Sequence, residues 1–326
     1  MTVFLLVLAG LLILAIVASF ICFCIAFVRV RPVDISKVKA PEGSELAFYQ
    51  PQMRAAKEAW KAVPFEEVTI QSYDGLSLYG KLYLHPQAER TILMMHGYRG
   101  IAENDFGCGL DFYYRVSKSN VLMVDQRAHG KSRGRLITFG IRERFDCRDW
   151  AFFASKKCGA NLPLYVAGVS MGASTVMMAA GLELPDNVCG LIADCGYTSP
   201  EAIIKKVIER DLHLPVKLCM AVLRFWFRII VGVSLNSVST LDTMAHCRLP
   251  IFFAHGTADT FVPCHMTEEN YAACASPLKR LLLMEGADHG LSFLKDQPTY
   301  MNEISNFFKD TQAQTRACSE NTDLEN

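Results

Sequence analysis

Short apolar runs alternate with amphipathic segments along most of the chain. Runs that predict buried strands cover residues 91–97, 120–132, 162–170, 188–199, 249–259 and 280–290. Segments with helical spacing lie between them and are clearest at 142–159 and 171–181. Strands that alternate with helices predict right-handed crossovers and a mostly parallel sheet covered by helices on both faces. The pattern therefore predicts the α/β class.

Two regions depart from this alternation. Before the first buried run, "FEEVTIQSYDGLSLYGKLYLHP" alternates apolar and polar residues around Asp74-Gly75, which predicts a β-hairpin. Between Ser199 and Leu249 about fifty residues carry no strand signal and have helical composition. This second region predicts a helical insertion between two strands of the sheet.

The amino-terminal segment differs from the rest, because residues 2–28 carry no charge. At about 1.5 Å per residue, such a helix could cross a hydrocarbon core of roughly 30 Å. A cleaved signal peptide is the alternative, but it would have basic residues before a shorter apolar core, and none precede this one. The positive-inside tendency places the rest of the chain in the cytoplasm, because basic residues follow the span at Arg29, Arg31, Lys37 and Lys39.

Composition narrows the class of protein. The chain of 326 residues is 51% hydrophobic and 20% charged, which is typical of a folded protein. Its 33 basic and 33 acidic residues give no net charge, so we expect no nucleic-acid partner. The twelve cysteines are irregularly spaced and predict reduced thiols, although Cys108 and Cys195 could line a pocket. We find no clustered Cys/His spacing and expect no metal.

These patterns divide the chain into four parts. Residues 1–28 form the membrane anchor and residues 29–63 a linker, whose second half has helical composition. Residues 64–310 form the α/β domain, with a lid insertion at 199–248. Residues 311–326 form a polar tail that we expect to fray.

One motif carries chemistry. "GVSMGAS" places Ser170 between Gly168 and Gly172, after a predicted strand and before a predicted helix. This is the context of a nucleophile elbow, in which glycines make room for a sharp turn that presents the hydroxyl. The motif alone is weak, because a glycine-rich turn with a buried serine has the same pattern.

A nucleophilic serine needs a base, and the base needs an orienting acid. His289 in "MEGADHG" and Asp259 in "FFAHGTADTFVP" each follow a late predicted strand. Asp194 is an alternative acid, and Asp288 is expected to be a loop or surface residue. Three histidines near strand ends are expected to hold turns: His96, His129 and His255.

Charge that develops on a carbonyl oxygen needs N–H donors. One donor should be the backbone N–H of Met171, directly after the serine. The other should follow an earlier strand, and in "MMHGYRG" we choose the N–H of Tyr98, after Gly97. These two residues are the predicted oxyanion hole.

The chain resembles the α/β-hydrolase superfamily in "MHGYRG", "VDQRAHGKS", "GVSMGAS", "HGTADTFVP" and "GADHG". The resemblance covers about residues 65–310 and is greatest to the serine-nucleophile branch with monoacylglycerol-lipase-like and prolyl-aminopeptidase-like hydrolases. It implies Ser170 as nucleophile, Asp259 as acid and His289 as base, with Tyr98 and Met171 as oxyanion donors. Ala128 stands where the family usually has glycine, and we expect only a small local change there.

The sequence therefore predicts a serine hydrolase without cofactor that cleaves an ester or thioester in a small-molecule acyl substrate. A peptidase or amidase of the same fold and a non-catalytic membrane-tethered binding protein are the alternatives. A peptidase would need acidic residues near the pocket, and the insertion offers Glu201 and Glu209. The insertion also contains "VLRFWFRIIVG", whose Arg224 and Arg228 flank aromatic residues. This pattern predicts a lid helix, and we also expect it to touch the bilayer.

Overall fold

The computed structural model describes residues 1–31, 33–34 and 37–324, with side chains as far as residue 314. Its strands are β1 Glu66–Gln71, β2 Ser77–Tyr83, β3 Arg90–Met95, β4 Ser119–Val124, β5 Leu164–Val169, β6 Val188–Asp194, β7 Ile251–Gly256 and β8 Lys279–Met284. Its helices are α1 Thr2–Phe27, α2 Glu45–Trp60, α3 Ala102–Asp105, α4 Glu143–Cys158, α5 Met171–Ala179, α6 Pro200–Lys206, α7 Val216–Val231, α8 Thr240–Met244, α9 His265–Ala273, α10 Ser292–Lys295 and α11 Gln297–Leu324.

The strands form one sheet in the order β1-β2-β4-β3-β5-β6-β7-β8. The predicted hairpin pairs β1 with β2, and β2 is also antiparallel to β4. The other neighbours are parallel, so β3, β5, β6, β7 and β8 all end at one edge of the sheet. Ligands of open α/β sheets bind outside this edge, and the loops that carry the predicted site residues leave from it.

Apolar side chains cover both faces of the sheet, as the sequence predicts. One face packs against α2 and α11 through Trp60, Phe307 and Phe308, which are buried. The other face packs against α4 and α5, with Trp150 and Val176 fully buried. Strands buried on both faces have no solvent side, which explains why they appear in the sequence as continuous apolar runs.

Further helices lie in the segments outside the sheet. The predicted insertion contains α6, a π-helical turn at Val207–Asp211, α7 and α8. In the predicted linker the helix is longer than the sequence suggested and begins at Glu45; Pro32, Ile35 and Ser36 lie outside the described residues. The predicted polar tail continues α11 to Leu324, and Glu325 and Asn326 lie outside the described residues.

Candidate active site

The turn between β5 and α5 holds Ser170 in a strained conformation. Its φ is +56° and its ψ is −118°, values that L-residues rarely adopt. A Cβ at Gly168 would lie 2.3 Å from the backbone carbon of Gly172, and a Cβ at Gly172 would lie 1.9 Å from the carbonyl oxygen of Met95. Both glycines of the motif therefore permit a close approach of backbones that no other residue allows.

His289 connects Ser170 to Asp259. The Nε2 atom of His289 lies 2.9 Å from Ser170 Oγ, and its Nδ1 atom lies 2.7 Å from Asp259 Oδ2. With Nδ1 protonated, the ring donates to the carboxylate and Nε2 is free to accept the serine proton. The ring also contacts Phe261, with a centroid distance of 5.0 Å. The structure brings the three predicted residues together in one continuous chain of hydrogen bonds.

Asp259 is buried and is held from several sides. Its Oδ1 atom accepts the N–H groups of Phe261, at 2.9 Å, and Val262, at 2.8 Å. Its Oδ2 atom is shared by His289 and His255, whose Nε2 lies 3.0 Å away. Burial raises the pKa of Asp259, but the hydrogen bonds from His255 and His289 outweigh this effect and hold the pKa well below its usual range. The carboxylate is therefore ionised beside His289.

His255 is the contact that the sequence interpretation missed. It was expected only to hold a turn, and it does bond to Thr267 Oγ1 at 2.6 Å and to the carbonyl of Val262 at 2.8 Å. It also lies against the predicted acid, four residues further along the chain. The spacing in "HGTAD" offered the only signal, since the strand end and the following turn bring these two side chains together.

His96 and His129, the other two histidines near strand ends, do not contact Ser170 or Asp259 through a hydrogen bond among the described residues. His96 bonds to Gly97 O at 2.7 Å and accepts the N–H of Gln126 at 3.1 Å. His129 bonds to Arg127 O at 2.9 Å, and burial lowers its pKa to about 3. Both histidines hold turns, as expected.

The alternative acids do not orient His289. The carboxylate of Asp194 accepts the hydroxyls of Ser292, at 3.0 Å, and Tyr300, at 3.1 Å, and burial raises its pKa. Asp288 accepts the N–H of His289 at 2.8 Å and so holds its own loop. The structure thus favours Asp259 as the acid on geometric grounds.

The predicted oxyanion donors lie beside Ser170. A Cβ at Gly97 would lie 3.4 Å from Ser170 Cβ, so this loop passes directly against the serine. Asp105, which the sequence interpretation did not single out, fixes the loop by accepting the N–H of Gly97 at 2.6 Å. Among the described residues, the N–H groups of Tyr98 and Met171 have no hydrogen-bond acceptor. Both remain available for an anionic oxygen.

Cys195 also lies at this place. One ligand atom from each of Cys195, Asp259 and His289 falls within 4.8 Å of the others, a spacing that a metal ion could use. Burial raises the pKa of the Cys195 thiol well above its usual range, so Cys195 is a neutral thiol in this structure. Asp259 and His289 are in addition hydrogen-bonded to each other. The arrangement therefore fits a proton relay better than a metal site.

The Ser170 side chain is nearly covered in this conformation. Ser170 is 6% exposed, and a cavity lined by its chain neighbours Gly168 and Val169, but not by Ser170 itself, measures about 20 Å³. That volume holds one water molecule. This small cavity therefore has no room for an acyl chain.

Helix α7, in the predicted lid insertion, has two unlike faces. Phe225 is 58% exposed, whereas Phe227 is fully buried and packs on Phe27 of α1 at a centroid distance of 4.9 Å. Trp226 is half-buried, and its Nε1–H donates to Ser19 Oγ of α1 at 2.9 Å. Of the aromatic triplet in the predicted lid, only Phe225 is free to meet a bilayer.

Comparisons with known proteins bear on the fold and on relatives in sequence. No protein-family model matches the chain. It is 27% identical over 188 residues to the uncharacterized protein YqkD of Bacillus subtilis (strain 168), covering 58% of this chain and 61% of that relative, less than two thirds of its length.

Two solved structures show the same architecture. The esterase PF2001 of Pyrococcus furiosus has a TM-score of 0.63 at 19% identity, covering 86% of this chain and 98% of its own. Est1E of Butyrivibrio proteoclasticus, solved with ferulic acid bound, has a TM-score of 0.57 at 18% identity, covering 76% and 99%. The chain has the α/β-hydrolase fold, as the sequence predicts.

Proposed function

We propose that this protein is a membrane-anchored serine hydrolase that cleaves a carboxylic ester or thioester through an acyl-enzyme, without a cofactor. The observation that carries the proposal is the hydrogen-bonded chain from Ser170 through His289 to Asp259 at a strand-to-helix turn. Solved neighbours of the same fold include esterases, which supports ester chemistry.

The geometry supports acyl transfer in two steps. Ser170 Oγ attacks the carbonyl carbon while its proton moves to His289 Nε2, and the carbonyl oxygen becomes an oxyanion. When the tetrahedral intermediate collapses, the bond to the leaving oxygen or sulfur breaks and the leaving group takes the proton from His289. Water then attacks the acyl-enzyme, giving one proton to His289, and Ser170 recovers that proton as the acid departs. Asp259 stays ionised throughout and stabilises the imidazolium.

Two backbone N–H groups would bind the oxyanion, those of Tyr98 and Met171. Met171 is the first residue of α5, so its N–H also lies at the positive end of that helix. A buried N–H without an acceptor costs free energy in the resting protein, and an oxyanion removes that cost in the transition state.

The first test is hydrolysis of p-nitrophenyl esters, from acetate to long acyl chains, by the full-length protein in detergent. We expect Ser170→Ala to lower kcat by at least about 10⁴-fold, because the nucleophile is gone. Ser305→Ala, which removes a hydroxyl on the remote helix α11, is the matched control and should leave kcat unchanged.

Other outcomes would redirect the proposal. Failure of a fluorophosphonate to label Ser170, together with no turnover, would favour a tethered binding protein. Labelling without ester turnover would favour an amidase or peptidase. Against a peptidase, Glu201 is paired with Arg224 at 3.2 Å and is not free to hold a substrate amino group.

Membrane anchoring rests on α1, which has 26 residues and a mean hydropathy of 3.0. A signal sequence could have the same length and hydropathy. However, Phe23 and Phe27 are 1% and 0% exposed, so cleavage after them would remove part of the packed interior. We expect mass spectrometry of the protein purified from membranes to show that α1 is retained. We also expect its carboxyl-terminal tail to resist protease in intact cells, since the flanking basic residues favour a cytoplasmic domain.

We propose that α7 also touches the bilayer. Its outer face exposes the apolar residues Leu218, Phe225 and Ile229 beside the basic residues Lys217 and Arg228. Such a face suits the headgroup boundary, and its neighbour α1 enters the membrane. We expect Leu218→Ala with Phe225→Ala to lower hydrolysis of vesicle-borne esters several-fold more than hydrolysis of soluble esters. Val116→Ala, at an exposed apolar residue outside the lid, is the control, and equal effects on both substrates would contradict the contact.

A further inference from the structure

The last turns of α1 lie inside the folded domain. Phe27 packs on Phe139 at 5.6 Å and on Phe227 at 4.9 Å between ring centroids, and Phe23 lies beside it. Phe23, Phe27 and the oxyanion-side residue Met171 belong to one buried apolar cluster with the lid. By contrast, Phe4 and Leu11 near the start of the same helix are 69% and 60% exposed. A membrane tether alone would need no such packing.

The same turns are bonded to the loop of Gly97–Gly100. The hydroxyl of Tyr98 donates to Ala26 O at 2.8 Å, and the guanidinium of Arg99 donates to Ile25 O. These carbonyls belong to the last turn of α1, where a helix leaves its C=O groups without an internal partner. The ring of Tyr98 also stacks on Phe139 at 4.9 Å. The loop that carries a predicted oxyanion donor thus caps the membrane helix.

The chain after α1 adds further bonds to the domain. Ile137 N–H donates to Phe27 O at 2.7 Å, and Arg29 N–H donates to Arg135 O at 2.8 Å. The Arg29 guanidinium donates to Gly130 O at 2.6 Å and to Ser132 O at 2.7 Å. These hydrogen bonds join the end of α1 directly to the loops at the sheet edge. Helix α1 therefore has a fixed position over the Gly97–Gly100 loop.

We propose that residues 19–27 of α1 are a positioning element of the active site, which holds the Tyr98 N–H in place for the oxyanion. The proposal rests on the proposed function, because it assigns the segment a part in the same oxyanion hole. Tyr98 would act twice, with its N–H toward the substrate and its hydroxyl toward the membrane helix. Loss of the docked turns should therefore slow the chemical step more than it weakens substrate binding.

The most selective test is Tyr98→Phe in the full-length protein, which removes the bond to Ala26 and keeps the backbone N–H. We expect kcat on a soluble ester to fall about 3- to 10-fold, the range of one hydrogen bond, with KM changed less than about twofold. Tyr114→Phe is the matched control, since that hydroxyl donates to the carbonyl of Leu84 at 3.0 Å, away from the site. An unchanged kcat in Tyr98→Phe, or an equal loss in Tyr114→Phe, would overturn the proposal.

A second pair of variants tests the helix itself. Phe23→Ala with Phe27→Ala removes the docking rings, whereas Phe4→Ala with Leu11→Ala removes exposed apolar groups from the same helix. We expect only the first pair to lower kcat, by about 10-fold or more, and to speed amide hydrogen exchange at residues 97–100. Unchanged exchange at this loop would refute the inference. If the wild type neither turns over esters nor labels at Ser170, the proposed function fails and the exchange result alone decides the role of the helix.

Discussion

At the turn after β5, neighbouring backbones lie so close that Gly168 and Gly172 have no room for a side chain. Gly172 lies against Met95, and Gly168 lies against Gly172. Ser170 between them keeps a φ of +56°, a conformation that costs of order 1–3 kcal/mol. The surrounding contacts maintain this strained turn, since the Ser170 N–H donates to Asp194 O at 2.8 Å.

We expect Gly172→Ala to destabilise the protein by about 3 kcal/mol or more, because the new methyl group overlaps backbone atoms that cannot move independently of the sheet. Thermal or denaturant unfolding measures the loss. Gly107→Ala is the control, since a Cβ at Gly107 would meet nothing within 4 Å, and its free energy of unfolding should stay within about 1 kcal/mol. Equal stability of the two variants would show that the turn can relax.

Ala128 shows how a departure from the family pattern is accommodated. It has a φ of +62°, which explains why glycine is usual at this position. Its methyl group is buried in the apolar cluster near the lid. The fold thus tolerates alanine with a local strain of about 1–2 kcal/mol, in keeping with the small change that the sequence interpretation expects.

Between elements, Arg127 connects three separate parts of the domain. Its guanidinium, 2% exposed, bonds to Asp146 of α4 at 2.6 Å and to Asp74 of the hairpin turn at 2.9 Å. Asp146 is itself 1% exposed, so water cannot take the place of either Arg127 or Asp146 if the other is removed. The loop after β4 is therefore tied to both the hairpin and a helix by buried charge.

Arg127→Met should lower the free energy of unfolding by about 3–5 kcal/mol, because it leaves the Asp146 carboxylate buried without a partner. Adding Asp146→Asn should restore part of this loss, since the uncompensated charge is removed. A double-mutant cycle by denaturant unfolding measures the coupling. Simple additivity of the two substitutions would contradict a direct charge pair.

At the level of elements the sequence predicted most of the fold. Strands β3 to β8 and helices α4 and α5 are local in origin, because apolar periodicity and the glycines at their ends specify them. The hydrogen-bonded chain of Ser170, His289 and Asp259 follows from loops that leave one sheet edge. The contact of His255 with Asp259 and the bond of Asp105 to Gly97 were not predicted, since both depend on side-chain positions that periodicity does not encode. The packing of α1 on α7 was also missed, because an uncharged helix looks the same in sequence whether it faces lipid or protein.

For the whole molecule, the last turns of α1 pack into the interior of the α/β domain. The predicted anchor ends at residue 28, but the interior of the domain already includes Phe23 and Phe27. The basic residue Arg29, expected to mark only the membrane boundary, donates to the loop that contains Gly130 and Ser132. The last turns of α1 and the domain therefore form one packed unit.

A chain of residues 29–326 should melt roughly 10 °C or more below the full-length protein, because it lacks two buried phenylalanines worth about 3–5 kcal/mol each. A chain of residues 18–326 keeps the docked turns and should melt close to the full-length protein. Calorimetry or fluorescence in the same detergent makes the comparison. Equal melting of the two shortened chains would show that the docked turns add no stability.

The rigid connection between α1 and the domain also determines where Ser170 lies relative to a membrane. The Val28–Leu136 bridge and the hydrogen bonds of Arg29 fix the described residues directly after α1 to the α/β domain. Once α1 stands in a bilayer, Ser170 is carried at one height and one tilt above the lipid and travels only sideways with it. An anchored protein of this shape would therefore meet its substrate only at that fixed distance from the lipid surface, whether the substrate arrives along the membrane or from solution.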